Sequence, residues 1–218
     1  MQIPSWMDFT VKLFGAFGIF FIAWQVLLSK QQLQADHERS RRQMASDVIR
    51  YLSNSISSGM VAGRWFAEGL GKNQTAALFY RKPFRVPIKT RDFLEVCLGD
   101  AISDDQVEED NILLTIRQIQ HLRWLVTAYL NNLEAALVPW YYEVADRRIL
   151  QNELWPLLWT RRDKDTKNDI FILEKFREIQ RVPPMYPAIE AFITQIKNDP
   201  PRGFDRAVSR LPALWRDE

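Results

Sequence analysis

From Thr10 to Leu28 the chain reads TVKLFGAFGIFFIAWQVLL, nineteen positions with Lys12 as the only charge and Gln25 as the only amide. The run is apolar on every face, which separates it from an amphipathic helix lying along a surface. At a rise of about 1.5 Å per residue it reaches roughly 28 Å, just enough to cross a hydrocarbon core. Lys12 sits in the first turn, where its stem carries the ammonium back to the headgroups. Trp6 and Trp24 fall where interfacial aromatics gather. The pattern predicts a transmembrane helix. A cleaved signal peptide is the competing reading, but the first ten residues carry Asp8 and no base. Leu33-Gln34-Ala35, the nearest candidate cleavage site, lacks a small residue at its first position, so a signal anchor fits better.

Lys30 to Ser58 holds neither Pro nor Gly and is rich in Gln, Ala, Arg and Leu, so the helix is expected to run on. Its first part, KQQLQADHERSRRQ, has Leu33 as its one sizeable apolar residue and reads as a solvated stalk. From Met44 a stripe begins at helical spacing, continuing through Val48, Tyr51, Leu52 and Ile56, and there the folded body should start. Short helices are expected around Trp65 and Phe66 and over TAALFY, and YRKPFRVPIKTR, with Pro83 and Pro87, is expected to be extended. Thr90 is expected to cap a helix DFLEVCL that ends at Gly99. Ser103, with Gln106 in capping-box spacing, is expected to open the longest soluble helix, about Asp104 to Val138. Ile112, Ile116, Ile119, Val126, Leu130, Leu133 and Leu137 would line one face of it, and Pro139 would stop it. Asp146 is expected to cap RRILQNELWPLLW, bent or ended by Pro156; a helix at 168–180 and a last one to about Lys197 follow. No segment shows sustained period-two alternation. The expected class is all-α: a transmembrane helix continuing into a stalk, followed by a cytoplasmic helical bundle. The divisions are an anchor at 1–29, a basic stalk at 30–43, a helical domain at 44–198 and a tail at 199–218.

Charge gives this layout an orientation. The 218 residues carry 29 Lys and Arg against 27 Asp and Glu, but residues 30–90 are net +7 and residues 91–218 net −5. Basic residues follow the apolar run and none precedes Lys12, so the positive-inside rule places the N-terminus outside and the rest in the cytoplasm, at an inner (plasma) membrane. The lone Cys97 agrees with a reducing compartment. Lys30, Arg39, Arg41 and Arg42 on the stalk, with Arg81, Lys82 and Arg85 in a loop that also holds Tyr80, Phe84, Lys89 and Arg91, are the candidates for contact with anionic lipid or a protein partner. A topology signal and a solvated loop are the plainer readings of the same residues.

Catalytic chemistry is poorly provided for. The acidic run Asp104, Asp105, Glu108, Glu109 and Asp110 lacks the order of a calcium loop. His37 lacks the second histidine of a zinc-protease helix, and His121 stands far from it. There is no nucleophile elbow and no phosphate loop, so no enzyme activity, cofactor or metal is expected. Trp140, Tyr141, Tyr142, Trp155 and Trp159 gather at one helix junction, either as core or as a partner-docking patch.

The order of a membrane helix, a basic stalk, the segment YLNNLEAAL (Tyr129 to Leu137), a turn and RRILQNELWPLL resembles uncharacterised bacterial and prophage single-pass membrane proteins grouped as a domain of unknown function. The resemblance covers about half of the chain and implies architecture, with no catalytic residues. The expected function is a membrane-anchored helical interaction or scaffold protein, held in the bilayer by residues 10–28, with a protein partner or self-association and no nucleic acid. The alternative is an oligomeric membrane effector or pore.

Overall fold

One helix, α1 (Ser5–Ser55), carries the chain through the apolar run and the stalk without a break. The computed structural model describes residues 5–99, 102–158 and 186–199, and the side chains of residues 5–16 and of Ile19 lie outside that description. Also outside it are Trp159, the expected helix at 168–180, Pro183, Pro184 and residues 200–218. Among the described side chains of α1 the first buried one is Ala45, followed by Val48 and Leu52 at steps of three and four, which is the face that meets the body. Met44 and Tyr51, expected in the same stripe, are exposed. Among the described residues no helix is long and apolar enough to cross a membrane. The described apolar side chains begin at Phe17, and from there to Leu28 a helix rises only about 18 Å.

After Ser55 the chain turns through Ser57, whose Oγ accepts the Met60 N–H at 3.3 Å and starts α2 (Ser58–Gly69). Next comes α3 (Lys72–Tyr80), closed by Arg81 in the left-handed region at φ 57°. A short strand, β1 (Arg85–Pro87), and a 3-10 turn lead into α4 (Arg91–Leu98). Gly99 ends α4 at φ 71°, a conformation that favours glycine. A second 3-10 turn (Asp104–Gln106) precedes β2 (Val107–Glu108) and β3 (Asn111–Leu113). The helices α5 (Ile116–Tyr141), α6 (Arg147–Leu158) and α7 (Pro187–Asn198) complete the described fold.

The fold is mostly helical, as expected, with a correction at the start of the long helix. Residues 104–115 do not open the long helix. They hold the second 3-10 turn, β2 and β3, which pair with β1 in an antiparallel sheet of order β1-β3-β2, with Val86 opposite Ile112 and Glu108 opposite Asn111. Ile112 and Leu114 are buried on either side of the exposed Leu113, an alternation too short to register in the sequence. The helix starts instead at Thr115, whose Oγ1 accepts the Gln118 N–H at 3.3 Å while Gln118 Oε1 accepts the Thr115 N–H at 2.9 Å. Two capping-box spacings stand twelve residues apart, and their glutamines bond each other, Gln106 Nε2 to Gln118 Oε1 at 2.9 Å. Consequently Ile112 belongs to the sheet and Ile116 is exposed. Pro139 lies inside the last turn of α5 rather than stopping it, and Pro156 likewise lies inside α6.

Helix α5 is the central element, packing against α1, α2, α3, α4 and α7. Its approach to α2 is close: a Cβ added at Gly63 would lie 2.9 Å from Leu125 Cβ, so only glycine fits. Three polar residues in YLNNLEAAL tie down other elements. Asn132 Nδ2 donates to the Ser55 carbonyl at 3.1 Å, the end of α1. The Tyr186 hydroxyl donates to Asn131 Oδ1 at 3.2 Å. The Glu134 carboxylate accepts the Ala188 and Ile189 N–H groups at 2.9 and 3.0 Å, capping α7 from another helix.

Among the described residues one buried charge lies within this core. Arg64 of α2 is 2% exposed. Its Nε donates to Glu68 Oε1 at 2.6 Å and its Nη1 to the Tyr129 hydroxyl at 2.7 Å and to the Leu157 carbonyl. The Tyr129 hydroxyl in turn donates to the Leu157 carbonyl at 2.7 Å. Burial raises the Tyr129 pKa above its ordinary value, so the hydroxyl stays protonated and available for that bond.

Candidate functional site

The stalk arginines and the start of α6 come together. The Asp146 N–H donates to the Arg41 carbonyl at 3.0 Å, pinning the α5–α6 corner to the middle of α1. Asp146 Oδ1 accepts the Arg148 and Ile149 N–H groups at 3.0 and 3.2 Å, which caps α6 as expected. The two segments enclose a cleft of about 330 Å³ lined by Glu38, Arg41, Arg42, Asp146, Arg147 and Arg148. Arg42 pairs with Glu38 at 3.4 Å across one helical turn, on the surface. Arg147 is held more firmly: Nε donates to the Trp140 carbonyl at 3.1 Å, Nη1 pairs with Glu143 at 2.8 Å, and the guanidinium lies 4.9 Å from the Trp140 ring centre. Arg41 and Arg148 make no side-chain ion pair among the described residues. Lys30 and Arg39 are exposed on the stalk but do not line the cleft. Arg147 and Arg148 were legible in the sequence only as part of the capped helix, because the fold alone sets them beside residues more than a hundred positions earlier.

The loop candidates meet a different environment. Arg81 and Lys82 are exposed at the end of α3, and Tyr80 stacks edge-on to Phe79 at 5.1 Å. The fold adds Arg123 of α5, which lies 5.2 Å from the Phe79 ring centre. Burial, with the nearby Arg81 charge, lowers the Arg123 pKa below its ordinary value. Arg85 is engaged in an ion pair with Glu108 across the sheet. Arg91 is bound to Glu95 at 3.1 Å, to Asp104 at 3.0 Å and to the Ile102 carbonyl at 2.8 Å. Phe84 is core. Part of the acidic run therefore serves as counter-ions to this loop. Among the described residues no group of three or more His, Cys, Asp or Glu side chains is placed to hold a metal ion.

The aromatic junction divides. Trp140 is 3% exposed and packs edge-on against Phe192 of α7, ring centres 4.9 Å apart. Trp155 is half-buried against the core, whereas Tyr141 and Tyr142 remain exposed. The Trp140 indole Nε1–H is buried without an acceptor among the described residues.

Cys97 is buried on α4, and burial pushes its thiol up to about 12. The folded value lies above the ordinary one of about 8.5, so the neutral thiol's stabilising contribution is complete below that pH and is lost as pH rises toward 12. Native protein at pH 8 should resist a thiol-specific disulfide reagent that reacts at once in denaturant, and Cys97→Ala should flatten the alkaline fall in stability. Fast labelling of the native protein would contradict this burial.

No protein-family model, curated protein or solved structure matches the chain.

Proposed function

We propose that the chain is a single-pass membrane-anchored protein whose helical body lies on the cytoplasmic side and acts by binding rather than by catalysis. The observation that carries the reading is the unpartnered apolar surface of α1. Phe17, Phe20, Phe21, Ile22, Trp24, Val26 and Leu27 are each between 55% and 66% exposed on a helix that, among the described residues, meets the body only from Glu38 onward and buries no side chain before Ala45. Apolar surface this extensive on all sides of one helix requires cover, and lipid covers a helix on all sides at once. The apolar run extends in sequence back to Thr10, through Lys12, which brings it to spanning length. The basic residues that follow it set the orientation.

The test keeps the full chain. Wild type should remain with membranes through alkaline carbonate extraction, and a reporter fused to the C-terminus should be active in the cytoplasm. Phe20→Arg with Phe21→Arg places two charges near mid-depth and should move the protein to the carbonate supernatant. Wild-type protein released by carbonate, or an exported C-terminal reporter, would refute the anchor or its orientation respectively.

A further inference from the structure

We propose that the cleft between α1 and the first turn of α6 binds a phosphate-bearing anion. Four arginines from two elements line it together with Glu38 and Asp146, and Arg147 also pairs with Glu143. Neither lining carboxylate neutralises the whole. Glu38 pairs with Arg42 on the surface, where exposed pairs are weak, and Asp146 is turned to the α6 backbone. Arg147 is fixed by the Trp140 and Tyr141 carbonyls and by Glu143, so it forms a rigid wall of the cleft. Arg41 and Arg148, without ion pairs among the described residues, supply the adaptable contacts. The backbone bond from Asp146 to Arg41 keeps the two walls in register. Planar guanidinium forks match phosphate oxygens two at a time, which makes phosphate the fitting anion class. Asp146 already occupies the first N–H groups of α6, so the guanidinium groups rather than the helix end hold the anion.

The phosphate can belong to a soluble compound or to a lipid headgroup. Arg41 stands thirteen residues beyond Leu28, about 20 Å along α1, while charges are screened over about 8 Å at physiological salt. If α1 is anchored as proposed above, a soluble source reaches the cleft without bending the stalk. The site itself does not depend on the anchor.

The experiment titrates inorganic pyrophosphate by calorimetry into the full chain held in phosphatidylcholine nanodiscs. Wild type should bind, and Arg41→Gln with Arg148→Gln should weaken binding about tenfold or more, with thermal unfolding unchanged. Arg39→Gln, outside the cleft, should leave the affinity as it was. A soluble source predicts the same affinity in phosphatidylserine-rich discs. A loss there that the double variant abolishes assigns the phosphate to headgroups, still in this cleft. No binding by wild type, or equal binding by wild type and the double variant, overturns the proposal. Should the chain stay out of the discs, the anchor fails, and the same titration in buffer still decides the cleft.

Discussion

Replacing Arg64 with methionine should lower the free energy of unfolding by about 3–5 kcal/mol, the loss typical when one partner of a buried ion pair is removed. Methionine fills comparable space, so the effect isolates the charge. Without the guanidinium, the Glu68 carboxyl loses its 2.6 Å ion-pair partner at a site where its own side chain is only 11% exposed. Tyr129 loses a donor to its hydroxyl, although its own bond to the Leu157 carbonyl survives. Removing both charges, Arg64→Met with Glu68→Leu, should recover most of the loss, because matched apolar replacement of a buried pair is often neutral. Denaturant unfolding of the three proteins checks this, and a single-variant loss below about 1 kcal/mol would show that Arg64 is far better solvated than its burial implies.

Phe192→Ala should cost about 3–5 kcal/mol, from lost transfer energy and the cavity left behind. Phe192 is fully buried and stacks edge-on against Trp140, whose ring also carries the Arg147 guanidinium. The consequence therefore extends beyond stability: with Trp140 less constrained, Arg147 loses its seat and pyrophosphate binding should weaken as well. Phe192→Leu keeps most of the volume and should cost markedly less on both readouts. Denaturation and calorimetry on the same samples measure the two effects. Equal stability of the alanine variant and wild type would mean that α7 is not packed on α5 as described.

Most helices were legible because their signals are local. Gly99 ends α4, and the stripe from Ile119 to Leu137 has the period of α5. The sheet was not, because three-residue strands hold too few positions for alternation to show, and Val86 and Ile112 are strands only by virtue of each other. The start of α5 was likewise non-local: Ser103 was expected to open it, but β3 pairs with β1 ahead of it and the helix opens at Thr115. The candidate site was half visible. Arg41 and Arg42 stood out as stalk cations, but a basic stalk has the same letters whether it faces water or a wall of Arg147 and Arg148.

By itself the sequence determined the apolar run from Thr10 to Leu28, the uninterrupted helix that carries it into the body, and the basic-then-acidic division of charge. These follow from hydropathy, helix propensity and charge, each of which acts between neighbours in the chain. Tertiary structure alone decided that Arg64 is buried, that Glu134 caps a helix 54 residues away and that four arginines from two elements border one cleft. Burial, capping in trans and charge convergence depend on which distant segments meet, and no local pattern encodes that meeting.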